Sequence, residues 1–165
     1  MALAPWAEVT PGRRAHIERV VTLLEQWADE LRLPPGERAR WVRAGYLHDA
    51  LRDAALGGPL AHGPAAAARA ERDGENDPGV LDAVRYHSTG YAAWDDVGRM
   101  LYLADYLEPG RDLDPAERTE LVTRVPRQRD AVLVDVAGRR LTWLVESRWP
   151  VPAETADFWN ALVSR

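Results

Sequence analysis

Residues 45–53 read GYLHDALRD, and the pair His48-Asp49 inside this stretch decides how the rest of the chain is read. Trp41, Val42, Gly45 and Tyr46 lead into the pair with the spacing of an apolar helix face. Two adjacent titratable groups on such a face are costly to bury unless they gain partners. Compensation takes one of two forms, a closed hydrogen-bonded pair or ligation of metal ions. Successive helical residues diverge by about 100°, so His48 and Asp49 can still converge on one centre between helices.

Outward from this stretch the pattern stays helical. Thr10-Pro11 is a helix start, a capping side chain followed by proline at the first position. Ile17, Val20, Val21, Leu24, Ala28 and Leu31 then form one apolar stripe. Pro34-Pro35 separates this helix from the one that carries His48-Asp49, and Gly57-Gly58-Pro59 marks a loop after it. An alanine-rich helix (AAAARAERD) follows. Asp77-Pro78 starts VLDAVRYH, which stops at Ser88-Thr89-Gly90, and a helix from about Asp95 carries MLYLADYL to Pro109-Gly110. Asp114-Pro115 opens another helix, a long segment runs from about Pro126 to Arg148, and Pro152 begins a last short helix. The run Ala131–Val136 (AVLVDV) alternates enough to be a strand, but no second strand-like run exists to pair with it, so it is read as helix. The expectation is an all-α fold in a single domain spanning residues 1–165.

Composition narrows the function. The 165 residues are 46% hydrophobic and 28% charged, the balance of a folded globular chain. The absence of cysteine excludes a disulfide framework, a thiolate nucleophile and thiolate-ligated zinc. The net charge of −5 argues against nucleic acid as the main partner. No apolar run approaches the roughly 18–20 residues of a membrane span, and the first residues lack a signal-peptide layout, so the expected location is cytoplasmic. All 21 cationic side chains are arginine, which composition bias explains; any phosphate contact then falls to arginine, histidine, backbone N–H or metal.

Chemistry can be carried by four histidines, His16, His48, His62 and His87, together with Asp49 and Asp105. Imidazole and carboxylate suit iron, manganese and zinc. Six such groups are enough for two metals sharing a carboxylate, and helix bundles build metal sites from facing helices in this way. Each residue also has a plainer reading: His16 as a hydrogen-bonded core group, His62 in AHGP as a helix cap, His48-Asp49 as a neutral pair. Asp105, midway along the apolar face of LYLADYLEP, demands a partner on either reading. One shared cause explains all six better than six coincidences.

The order His … His-Asp … Asp resembles the HD-domain metal-dependent phosphohydrolases. More closely, the chain is similar to their YqeK branch, the symmetrical diadenosine-tetraphosphate hydrolases. The likeness is carried by RRAHIERV, AGYLHDALRD, AHGPAAAA, VRYHSTG, LYLADYLEPGRD and PAETADFWNAL, nearly the whole chain. Arg52 stands where that family usually has lysine, Ile17 where it has a small hydroxyl residue and Trp159 where it has arginine.

The resemblance implies a helical bundle of the HD type, with a metal-binding core over about 13–112 and C-terminal helices over about 114–165. It also implies a dinuclear site between helices. One metal falls to His16, His48, Asp49 and Asp105, the other to His62, His87 and the bridging Asp49. Two metal ions are implied, iron first, with manganese or cobalt allowed by the ligand types. The implied reaction is attack of a metal-activated water on a phosphoanhydride of diadenosine tetraphosphate, giving two ADP. Asp49, His62 and Arg52 are the expected catalytic residues. Arg52, Arg85, Arg111, Ser88 and Thr89 are the expected substrate contacts; a solvated surface position is the alternative for Arg85, and a plain helix end for Ser88 and Thr89. Tyr46, Tyr86, Tyr91, Tyr102, Tyr106 and Trp94 are all open as base-stacking or core residues. The rival functions are an HD-type nucleotidase or phosphodiesterase acting on another nucleotide, and a non-catalytic nucleotide-binding module. The tryptophans leave a homodimer surface open.

Overall fold

The computed structural model describes residues 1–164. It has seven helices and no strand among those residues: α1 (Pro11–Glu30), α2 (Pro35–Leu47), α3 (His62–Arg72), α4 (Pro78–Tyr86), α5 (Asp96–Leu107), α6 (Pro115–Glu146) and α7 (Ala153–Val163). None is long and apolar enough to cross a membrane.

The starts follow the sequence closely. Thr10 Oγ1 accepts from the Arg13 N–H, Asp77 from Gly79 and Val80, Asp95 from Val97, and Asp114 from Glu117. Each satisfies N–H groups that have no partner inside the helix. The α1 stripe buries Ile17, Val20, Val21, Leu24 and Ala28, but Leu31 is 40% exposed. It sits at the C-cap, where the chain turns away through Arg32 at φ 54°, so the stripe ends one turn earlier than its spacing suggests.

At the centre lies α5. Nine of its twelve residues are buried, among them Met100, Leu101, Leu103 and Leu107, and it packs against α1, α2, α4 and α6. A helix apolar nearly all round belongs in the interior. Each fully buried leucine or methionine contributes about 1.5–3 kcal/mol, which lets this helix carry one buried carboxylate, Asp105, in its last two turns. Trp94, Tyr102 and Phe158 pack together with ring centroids 5.3–5.6 Å apart, Phe158 meeting both others edge-on, which fastens α7 to the core.

The segment Ala131–Val136 is helical, with Val132, Leu133, Val136 and Ala137 buried at helical spacing. It belongs to one long element rather than a separate helix. That element bends at Gln128 (φ −135°, ψ 37°), two residues after Pro126. Proline has no N–H and its ring crowds the carbonyl four residues earlier, which here is Val122. The indole N–H of Trp27 donates to that carbonyl at 3.2 Å, so α1 satisfies the group that the kink releases.

Candidate metal centre

Five helices bring the six expected ligands together. His16 comes from α1, His48 caps α2, Asp49 opens the turn beyond it, His62 begins α3, His87 caps α4, and Asp105 lies on α5. All six are at most 5% exposed. The turn after α2 is tied to the start of α1: the Glu8 N–H donates to the Ala50 carbonyl, and the Thr10 N–H and hydroxyl donate to Asp53. That tie sets Asp49 against His16. Close packing of α3 on α4 sets His62 against His87 and depends on Gly63, where a Cβ would stand 2.9 Å from the Arg85 carbonyl oxygen and 3.3 Å from His87 Cε1.

The Asp49 carboxylate divides its two oxygens. Oδ1 lies 3.2 Å from both His62 Nε2 and His87 Nε2. Oδ2 lies 3.5 Å from His16 Nε2 and 3.7 Å from His48 Nε2. Asp105 Oδ1 adds to the second group, 3.0 Å from His16 Nε2 and 3.8 Å from His48 Nε2. Two clusters result, His16–His48–Asp49 and Asp49–His62–His87, each compact enough to hold one ion.

The hydrogen bonds on the far side of each imidazole test whether a cation fits. Nδ1 of His48 faces the Gly45 carbonyl at 2.7 Å, that of His62 the Pro59 carbonyl at 3.1 Å, and that of His87 the Val84 carbonyl at 2.7 Å. Nδ1 of His16 faces the Glu108 carboxylate at 3.0 Å. Each acceptor calls for a proton on Nδ1 and leaves Nε2 as a bare lone pair turned inward. The inward nitrogens nearly touch, 3.0 Å apart for His62 and His87 and 3.4 Å for His16 and His48. Two nitrogen ligands about 2.1 Å from one metal and at right angles stand about 3.0 Å apart. The residues fit a metal pair, and the shared oxygen donor fits its bridge.

Protonation follows from the same packing. Burial pushes His48 down to about 4, against the pull of Asp49 and Asp105. Burial alone would raise the Asp49 carboxyl, but His48, His62 and His87 hold it far below the usual carboxylate range. Asp105 is likewise held low, against its burial, by His16, His48 and Arg111. Glu108 is held at about 2, its burial outweighed by bonds from His16, Arg19 and the Gly110 N–H. The carboxylates are therefore anionic at neutral pH, as ligands must be.

Two further charged neighbours, Glu108 and Arg13, lie against the site. Glu108, 1% exposed, bonds His16 Nδ1, Arg19 Nε at 2.5 Å and Gly110 N at 2.6 Å. Arg13 puts Nη1 2.7 Å from Asp49 Oδ2. Both relations were open to inspection, since Glu108 follows Asp105 and Arg13 precedes His16 by three residues, one helical turn.

Beside the clusters runs a cleft of about 550 Å³. Of the expected substrate residues, Arg52, Arg111, Ser88 and Thr89 line it. The Ser88 hydroxyl lies 3.4 Å from His62 Nε2 and 3.3 Å from His87 Nε2, so one residue of the cleft wall touches the second cluster. Arg111 reaches it from Asp105, donating to Oδ1 at 2.5 Å and to the main-chain carbonyl at 2.8 Å. Arg85 is not brought there: its guanidinium bonds Asp82 at 2.6 Å and lies in another groove with Glu71 and Asn76. Its partner sits one turn back on the same helix face. The cleft wall that the sequence did not reveal is α6, which supplies Arg139, Arg140 and Trp143. Among the aromatic candidates, Tyr102 and Tyr106 border the cleft; Tyr86 and Tyr91 stack on each other, Trp94 is core, and Tyr46 lines a separate groove.

Comparison with known proteins agrees with this geometry. The chain is similar to the symmetrical bis(5'-nucleosyl)-tetraphosphatase of Staphylococcus aureus, 30% identical over 105 residues, 63% of this chain and 54% of that protein. The protein of the same name from Bacillus subtilis is 28% identical over 106 residues, 64% of this chain and 56% of that one. The chain thus spans a little over half the length of the curated relatives it matches. Its fold is that of a Clostridium acetobutylicum protein described as a predicted HD superfamily hydrolase involved in NAD metabolism. The TM-score is 0.80 at 21% identity, over 95% of this chain and 92% of that one. The HD domain model matches residues 13–110, the stretch that holds all six clustered histidines and aspartates. The chain belongs to the HD domain family.

Proposed function

We propose that this chain is a metal-dependent hydrolase that splits a dinucleoside tetraphosphate, diadenosine tetraphosphate foremost, symmetrically into two nucleoside diphosphates. The observation that carries the reading is the division of the Asp49 carboxylate between two histidine pairs beside an arginine-lined cleft. His16, His48, Asp49 and Asp105 would hold one cation, and His62, His87 and Asp49 the other. Iron is the proposed ion, and the nitrogen and oxygen ligand set also suits manganese or cobalt. Bound there, the pair supplies Lewis-acid charge and lowers the pKa of water.

The residues of the chain divide the remaining work. Arg52 and Arg111 present forked donors that match phosphate oxygens, and Arg52 extends from the turn that carries Asp49. Ser88, on the cleft wall, sets its hydroxyl beside His62 and His87, where it can bond a phosphate oxygen. Asp49 keeps both histidine pairs at fixed separation, and His62 places an imidazole beside the Ser88 hydroxyl. Burial of the clusters excludes bulk water from the reacting end.

The names of the two relatives, both symmetrical tetraphosphatases, support this reading over a general nucleotidase. Product analysis tests it. Metal-loaded protein incubated with diadenosine tetraphosphate should give ADP alone. ATP plus AMP, or phosphate released from mononucleotides with the dinucleotide left intact, would replace the proposal with another HD-type activity.

A further inference from the structure

Resting on the nucleotide reading of the cleft, we infer that Trp143 is the platform on which one nucleobase stacks. Arg139 and Arg140 hold the phosphates between that base and the histidine clusters.

Two observations on one helix carry this. Trp143 lines the cleft and is 59% exposed, so part of its indole is left uncovered by the fold. Its neighbours one turn back are Arg139 and Arg140, which line the same cleft. An exposed aromatic beside paired cations matches a flat π-system joined to an anion, the chemistry of a nucleotide, better than it matches an apolar protein surface.

The two arginines are already fixed. Arg139 is paired with Glu117. The Arg140 guanidinium lies over the Tyr102 ring at 4.7 Å and donates to the Ser88 carbonyl at 3.3 Å. A guanidinium carries five N–H donors, so these contacts orient each group and leave donors free for phosphate. The connection is continuous: the Ser88 hydroxyl touches His62 and His87, its carbonyl holds Arg140, and Trp143 follows Arg140 by three residues. A chain of phosphates starting at the clusters is led along α6 toward the indole. Stacking reads the face of a base and not its edges, so adenine and guanine should be accepted alike.

Calorimetric titration of metal-loaded protein with ADP and with inorganic tripolyphosphate tests the assignment, using wild type, Trp143→Ala and Trp143→Phe. Trp143→Ala should weaken ADP on the order of tenfold and leave tripolyphosphate unchanged, while Trp143→Phe restores most of the ADP affinity. With diadenosine tetraphosphate as substrate, the same loss should appear in KM and not in kcat. Unchanged ADP affinity in Trp143→Ala would overturn the inference, as would equal weakening of both ligands. A dimer that becomes monomeric on sedimentation while ADP binding is unaffected would also overturn it, and would assign the indole to an interface between copies. Trp143-dependent binding of ADP by a protein that leaves the tetraphosphate intact would keep the subsite and remove the hydrolase reading. Clean production of two ADP by a Trp143→Ala variant with unaltered KM would do the reverse.

Discussion

His62 and His87 present their Nε2 atoms to each other at 3.0 Å, while the Nδ1 atom of each is committed to a main-chain carbonyl. Two lone pairs at that separation repel unless a cation or a proton lies between them. A protein purified with its metals should therefore lose stability when they are removed. Ligand bound at about a hundredfold excess over its Kd contributes about 2.7 kcal/mol, which for a chain of this size is a fall in Tm of about 5–10 °C. Melting curves with and without a strong chelator measure it, and unchanged curves would mean that nothing is held there.

Glu108 should matter as much as a ligand without being one. It orients His16 through Nδ1 and is itself clamped by Arg19 and the Gly110 N–H. Removing such a support typically costs 10–100-fold in metal affinity. Glu108→Ala should show that loss in a competition titration with a metal indicator. Glu108→Gln, whose amide oxygen can still accept from Nδ1, should lie between it and wild type.

Trp27 pairs with the carbonyl that Pro126 leaves free. Trp27→Phe keeps most of the buried ring and removes the indole donor, so the Val122 carbonyl loses its bond. An unsatisfied buried group costs about 1–3 kcal/mol, and denaturant unfolding should show a loss in that range. A neutral result would mean that water reaches the kink.

The network around Arg40 sets an acid limit on stability. Arg40 bonds Asp77 at 2.6 and 2.9 Å and Asp95 at 2.8 Å. Asp77 is held at about 2, below its ordinary 3.8, by Arg40 first and by its α4 cap bonds second. A depressed carboxyl stabilises the fold fully above its unfolded value and loses that contribution as pH falls through the folded one. Asp77→Asn keeps the cap and drops the charge, so it should melt below wild type at pH 7. The gap should close as pH falls from about 4 to about 2. A gap independent of pH would assign the loss to packing.

Much of this was legible in the chain. Proline after a capping side chain marks the true starts of α1, α4 and α6, because those residues satisfy or dispense with the orphan N–H groups of a helix end. The six clustered side chains were legible for a different reason: each is a titratable group placed among apolar ones, and such groups need a common partner. Leu31 was misjudged because periodicity continues past the point where the backbone turns away at Arg32. The cleft wall was hidden because Trp143 is exposed rather than part of the buried face of its helix. Helical spacing identifies the face a helix buries, whereas the value of an exposed indole depends on Ser88 and Arg111, which are distant in sequence.

The tethers behind the imidazoles distribute vulnerability unevenly. Those of His48, His62 and His87 are peptide oxygens of the residue three places earlier, which every amino acid possesses, so no side-chain substitution at those positions deletes the tether. His16 alone leans on a side chain. Among these four tethers, the one a point substitution can delete outright is that of Glu108, at the α1 end of the cluster.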